Sequence, residues 1–220
     1  MASNCPLPPA PFLSMPMISS MPKALQRLSE KLNRLPGIGK RTAERLSMAL
    51  LDWPEEQLVA LGDDLQKLRR QIRPCNCCGN YSEQELCPIC SSANRQQNLI
   101  CVVENASQIA VIEGSNAYRG MYHVLGGKLS PLNGKGPADL RIRELRERLQ
   151  NSLVTELIIA TSPDLEGEAT AHFLAEEFRG MPILISRIAS GIPAGADLSY
   201  ADAATLNLAL NGRRKLNEFP

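Results

Sequence analysis

The stretch TSPDLEGEAT, residues 161–170, sets three carboxylates, Asp164, Glu166 and Glu168, beside a glycine and directly after the apolar run ELIIA. A fourth, Glu104, closes a second apolar run, LICVVE at 99–104. Carboxylates gathered at the C-terminal ends of parallel strands face the crevice in which open α/β sheets bind their ligands. Their hard oxygens suit Mg²⁺, and Mg²⁺ in turn stabilises charge in phosphoryl transfer. The same residues also have a plainer use: Ser162 or Asp164 capping the following helix, with Glu166 and Glu168 complementing its dipole.

A second set of reactive side chains lies in CNCCGNYSEQELCPIC. Cys75 and Cys78 form one C-x-x-C pair, Cys87 and Cys90 another, with eight residues between the pairs. Each pair can present two thiolates to one ion, and four ligands close a tetrahedral zinc site with no position left for substrate. Paired disulfides would need an oxidising compartment, whereas the chain has an odd seven cysteines and residues 1–22 do not read as a secretory signal. Cys77 competes with Cys78 for the ligand position, and spacing favours Cys78. A knuckle of this size has no core, so the metal would supply most of its folding free energy. Cys101, within an apolar run, reads as a small core filler rather than a reactive thiol.

The third constellation is LNRLPGIGKRTAERL. Gly37 and Gly39 permit positive φ and close approach to another surface. The amides that open the following helix form an anion site, flanked by Lys40, Arg41 and Arg45. Residues 23–45 carry seven basic and two acidic side chains, although the whole chain has 24 Lys+Arg against 23 Asp+Glu. The neutral average therefore conceals a basic module that suits a phosphate backbone. Its alternative is an ordinary helical corner with solvated cations.

These residues need elements to hold them. Leucines at 25, 28, 32 and 35 predict a helix over 24–35, followed by helices over 40–51 and 54–72, the last with Leu58, Leu61, Leu65, Leu68 and Ile72 on one face. Trp53 reads as core. Residues 75–90 leave no room for regular structure. Beyond Arg95 the texture becomes βαβ: strands at 99–104, 121–124, 156–161 and 183–188, with helices near 106–113, 137–149 and 166–179. The glycine-rich loop LGGKLSPLNGKGP is long enough to be functional but lacks the spacing of a nucleotide-phosphate loop. His123 and His172 read as surface or half-buried histidines. Residues 1–22, uncharged and rich in Pro, Ser and Met, read as a disordered tail, with Met15, Met17 and Met21 as alternative starts. No apolar run approaches the roughly 18 residues that span a bilayer.

Several of these motifs resemble known families. Residues 23–45 resemble the helix-hairpin-helix motif, which grips DNA backbones without reading bases. The sheet with Glu104 and SPDLEGEA resembles the Toprim domain of topoisomerases, primases and some nucleases. Catalytic Toprim members read D-P-D-R-E-G-E-A. Here Ser162 replaces the first Asp and Leu165 the Arg, while Asp164, Glu166, Gly167 and Glu168 are retained. A Mg²⁺-dependent nuclease or primase using Glu104 and Asp164 is thus the rival reading, short of one carboxylate.

The order of modules, ending in SRIASGIPAGADLSYADAATLNLALNGRR, is similar to the RecR family of bacterial recombination mediators over residues 23–214. The implied fold class is multi-module α/β. It comprises a tail (1–22), a helix-hairpin-helix domain (23–73), a four-cysteine zinc knuckle (74–95), a Toprim-like parallel-sheet domain (96–190) and a C-terminal segment with a helix (191–220). The resemblance also implies a cytoplasmic, nucleoid-associated protein without turnover, assembled into homo-oligomeric rings, usually tetramers, around DNA. RecO and RecF are the implied partners in loading RecA on gapped single-stranded DNA. Glu104, Asp164, Glu166 and Glu168 would offer an acidic surface to RecO and hold Mg²⁺ weakly at most. Of the family's Walker-B-like acidity, the tail keeps Asp197 and Asp202.

Overall fold

The structure, a computed structural model, describes residues 21–150 and 153–213 of the 220. Residues 1–20 of the expected tail (1–22), with Met15 and Met17, and the C-terminal segment beyond Arg213 lie outside the described residues. The chain divides into two compact units, one ending at Lys67 and the other beginning at Leu68.

The first unit contains α1 (Lys23–Leu32), α2 (Lys40–Ala49) and most of α3 (Glu55–Gln71). Small side chains bring α1 and α2 close: Ser29, Ala43 and Ser47 are buried, and the Ser47 hydroxyl donates back to the Glu44 carbonyl at 2.8 Å. Both helices are shorter than their leucine periodicity predicts. Asn33 caps α1, and a 3-10 turn over Leu50–Asp52 follows α2. Trp53 is not core. It continues that turn in extended backbone (φ −79°, ψ 143°), and the residue is 44% exposed. Of the leucines expected on one face, Leu25, Leu28, Leu58, Leu61 and Leu65 converge, with Leu50, on an apolar groove, whereas Leu35 and Leu68 are exposed; three helices are too few to bury them.

In the second unit, β1 (Arg73–Pro74) and β2 (Tyr81–Ser82) form a minimal antiparallel hairpin, and α4 (Pro88–Ser91) adds a single turn. The cysteine-rich segment thus has more regular structure than its length suggests. A four-stranded parallel sheet follows, built from β3 (Gln96–Val103), β4 (Gly120–Val124), β5 (Glu156–Ala160) and β6 (Leu184–Arg187) in the order β4-β3-β5-β6. Period-two alternation divides its apolar side chains between two cores. Ile100, Val102, Leu157 and Ile159 pack with α6 (Ile142–Gln150) and α7 (Leu165–Glu177), while Cys101, Val103 and Ala160 pack with α5 (Ala106–Gly114) on the other face. Helix α6 starts five residues later than expected, because Pro137–Asp139 form a 3-10 turn and Leu140 is extended. Helix α8 (Ala203–Asn211) lies in the C-terminal segment. Among the described residues no helix is long and apolar enough to cross a membrane.

Histidine 123 departs from the sequence expectation. It is 0% exposed in β4, with Nε2 placed 2.8 Å from the Arg141 carbonyl and Nδ1 without a protein partner. Burial pushes its pKa down to about 4. Folded-state depression below the ordinary value near 6.5 means that the unfolded chain binds the extra proton. Stability from this group is therefore complete above pH ~6.5 and lost as pH falls through about 4, a total of about 3 kcal/mol. Denaturant unfolding at pH 8 and pH 5 is expected to differ by about 2 kcal/mol more in the wild type than in His123→Gln. Equal pH dependence in the two chains would contradict this assignment.

Candidate functional site

The hairpin between α1 and α2 is built on one left-handed residue. Gly37 has φ +78°, which an L side chain adopts only with strain, and its turn is closed by Ile38 N–H to the Leu35 carbonyl at 3.1 Å. Gly39 is different. Its backbone is extended (φ −81°, ψ 168°), so the expectation of positive φ fails there; its lack of a side chain matters instead as the N-cap of α2. No atom lies within 4 Å of where its Cβ would stand. The first amides of α2, on Lys40, Arg41 and Thr42, have no acceptor within the helix, and Gly39 supplies no capping side chain. Lys40, Arg41 and Arg45 are exposed, and none forms a salt bridge among the described residues. Positive helix dipole, open amides and three free cations coincide at this end.

The ligand atoms of Cys75, Cys78, Cys87 and Cys90 lie within 4.8 Å of one another. Tetrahedral zinc with Zn–S bonds near 2.3 Å needs sulfurs about 3.8 Å apart, and Cys78 and Cys87 stand 3.6 Å apart. The backbone already points at the thiolates: Asn80 N–H donates to Cys78 Sγ and Cys87 N–H to Cys75 Sγ. Donor set, spacing and supporting amides fit structural zinc. Cys77 is half buried and outside the quartet. The knuckle is tied to the sheet by Val124 N–H donating to the Cys78 carbonyl at 2.8 Å. Gly79 (φ +79°) leaves space for Arg141, whose Nη1 would be 1.7 Å from a Cβ there. Cys101 is buried in β3 and its thiol is pushed up to about 12 by burial, which suits an inert filler.

The carboxylates do meet at the C-terminal ends of β3 and β5, and each already has a partner. Glu104, only 4% exposed, accepts the Ser162 amide at 2.6 Å and the Ser162 hydroxyl at 3.2 Å. Asp164 caps α7 through Gly167 N–H at 2.7 Å and accepts Lys128 Nζ at 2.5 Å, and that ammonium holds its carboxyl below the usual range. Glu166 accepts the Ser130 hydroxyl, and Glu168 pairs with Arg187. Gly167 has a steric requirement: a Cβ would stand 2.0 Å from the Ser162 carbonyl oxygen. Asp197 and Asp202 are likewise used as caps, accepting Ser199 and Thr205 amides, each at 2.8 Å. His172, on α7, is exposed.

Sequence reasoning alone does not single out Lys128, Ser130 or Arg187. The first two sit in the glycine-rich loop 36 residues before their acidic partners, and nothing in the local spacing announces the pairing.

A helix-hairpin-helix, a four-cysteine metal site and a Toprim-type sheet on one chain define a nucleic-acid-processing architecture. Family comparisons divide the chain in the same way. The models for the helix-hairpin-helix of RecR, its four-cysteine zinc finger domain, the Toprim domain and the C-terminal part of RecR match residues 25–69, 72–92, 98–189 and 191–214 respectively. The Recombination protein RecR of Cutibacterium acnes is 48% identical over 189 residues, covering 86% of this chain and 94% of the relative. Those of Tropheryma whipplei and Rubrobacter xylanophilus are 44% and 47% identical, covering 89% and 88% of this chain and 98% of each relative. The chain belongs to the RecR family of recombination proteins.

Metal analysis of purified protein is expected to give about one zinc per chain. Cys78→Ser should lose it, whereas Cys77→Ser should keep it. The opposite result would move the fourth ligand to Cys77.

Proposed function

We propose that the chain is a non-catalytic mediator of recombinational DNA repair, a homo-oligomeric, ring-forming scaffold that works with RecO and RecF to help load RecA on gapped single-stranded DNA. The observation that carries this reading is the start of α2, where open amides and exposed Lys40, Arg41 and Arg45 coincide. Gly37 shapes the turn, Gly39 leaves the cap open, and the three cations flank a phosphate without reading bases.

The remaining modules take supporting roles in this proposal. Zinc would stabilise the knuckle at 74–95, between a helix-hairpin-helix domain at 23–73 and a Toprim-like domain at 96–190. Glu104, Asp164, Glu166 and Glu168 would form a protein-docking face that binds Mg²⁺ weakly at most. Surfaces suited to a ring or tetramer include the apolar groove of the first unit and, in the 191–220 segment, the exposed Leu208 and Leu210 of α8. A cytoplasmic, nucleoid-associated location follows from the same reading.

Absence of turnover rests on charge. The position that would carry the first catalytic Asp is Ser162, whose hydroxyl and amide both donate to Glu104. Polarising a phosphoryl group would require a divalent ion held with one carboxylate fewer.

Two measurements test the proposal. Arg41→Ala/Arg45→Ala should weaken binding to all DNA sequences alike and flatten the logarithmic salt dependence by about 0.7–0.9 for each phosphate no longer neutralised. Unchanged affinity would contradict the interface. In a labelled-DNA assay with Mg²⁺ or Mn²⁺, neither cleavage nor synthesis is expected; turnover that Asp164→Ala abolishes would establish the enzyme instead.

A further inference from the structure

Lys128 projects into the carboxylate cleft. Its ammonium lies 2.5 Å from Asp164 Oδ2 and 4.0 Å from Glu166 Oε2, and its side chain is only 22% exposed. The cavity at this point, about 290 Å³, is lined by Glu104, Gly127, Lys128, Ser130, Lys135 and Glu166 among others. We propose that Lys128 is the resident cation of this cleft, standing where a Toprim enzyme would hold its divalent ion and closing the cleft to metal. This rests on the non-catalytic reading above and supplies its mechanism.

The loop that carries Lys128 is fixed on both sides of it. Gly126 N–H donates to the Glu104 carbonyl at 3.0 Å, and Leu129 N–H donates to the Thr170 hydroxyl oxygen at 2.9 Å. Beyond them, Ser130 and Lys135 form a backbone bridge, and the Ser130 hydroxyl donates to Glu166. The ammonium is thus delivered to the cleft from a tethered backbone rather than by a free surface side chain. Gly127, at φ +152°, occupies a backbone region that L side chains rarely adopt.

The balance of charge in the cleft also opposes a further cation. Glu104, Asp164, Glu166 and Glu168 carry four negative charges; Lys128 and Arg187 pair with Asp164, Glu166 and Glu168, and Lys135 adds a third cation to the cavity lining without an ion pair to these carboxylates. Glu104 is satisfied by Ser162 rather than by a cation. A divalent ion on Asp164 would need oxygen ligands at about 2.0–2.1 Å for Mg²⁺, within the space the ammonium fills, and would face repulsion from it unless Lys128 first left. The hydrogen bond with Asp164 also holds Lys128 firmly protonated.

The test uses the full-length, zinc-loaded chain and Mn²⁺, a hard ion that the four thiolates do not favour. Binding is read from loss of the free Mn²⁺ electron-paramagnetic-resonance signal. Lys128→Met, which keeps the apolar stem and removes the charge, is expected to bind one Mn²⁺ at least about tenfold more tightly than the wild type. Lys128→Arg should behave as the wild type, and adding Asp164→Asn to Lys128→Met should cancel the gain. Lys128→Gln serves as a second neutral variant if the methionine chain does not fold, as judged by circular dichroism and zinc content. Mn²⁺ binding that is no tighter in the neutral variants, or a gain that survives Asp164→Asn, would overturn the proposal. DNA cleavage in the same samples separates the two readings: cleavage by the wild type defeats the scaffold function, whereas unchanged Mn²⁺ affinity in the neutral variants defeats the resident cation alone.

Discussion

Backbone and side-chain polar groups must find partners in the protein, a metal ion or the solvent, and the three chemical centres of this chain differ in where those partners come from. In the knuckle, four thiols converge and backbone amides point at two of them, an arrangement completed by a metal ion. At the ends of the parallel strands, the chain supplies a partner for each carboxylate itself: Ser162 for Glu104, Lys128 and Gly167 for Asp164, Ser130 for Glu166, Arg187 for Glu168. At the start of α2 the chain supplies no cap. Helices α7 and α8 open on Asp164 and Asp202, which cap them, but α2 opens on Gly39 and leaves its amides facing outward. The contrast is between carboxylates that have partners within the chain and helix amides that have none.

The second unit is held together by links between knuckle and sheet. Val124 N–H reaches the Cys78 carbonyl, and Arg141 lies over Gly79, so that the segment leaving β4 is tied to the metal site at one end. That same segment continues as the glycine-rich loop and carries Lys128 and Ser130 into the carboxylate cleft. Arg95 adds a further tie, donating to Glu113 and to the Gly120 carbonyl, and so fastening the chain after the knuckle to α5 and the start of β4. A zinc module with no core of its own is in this way made part of a larger one.

Much of this is readable from the residues, for a physical reason. Zinc ligands sit in two short pairs, so their geometry is a local property of the chain, and the buried strands declare themselves as runs of Ile, Leu and Val because both faces of the sheet are covered. Long-range pairings are not readable. Lys128 reaches Asp164 across 36 residues through a loop whose path depends on the sheet beneath it. His123 reads as a surface or half-buried residue, yet β4 is buried throughout and carries it fully inside in neutral form. Trp53 reads as core because it is large and apolar, but the three-helix unit leaves it 44% exposed. Both glycines of the hairpin suggest positive φ, whereas Gly37 adopts it and Gly39 does not.

The proposed DNA interface requires that a nucleic-acid phosphate sit on the uncapped turn of α2. Backbone amide resonances of ¹⁵N-labelled protein, followed during titration with oligothymidylate at low salt, address this directly. Lys40, Arg41 and Thr42 are predicted to move most, and to return as salt is raised, while the amides of Ser162 and Gly167 stay in place because their acceptors are internal. Saturating DNA binding that leaves the α2 amides unmoved would contradict it.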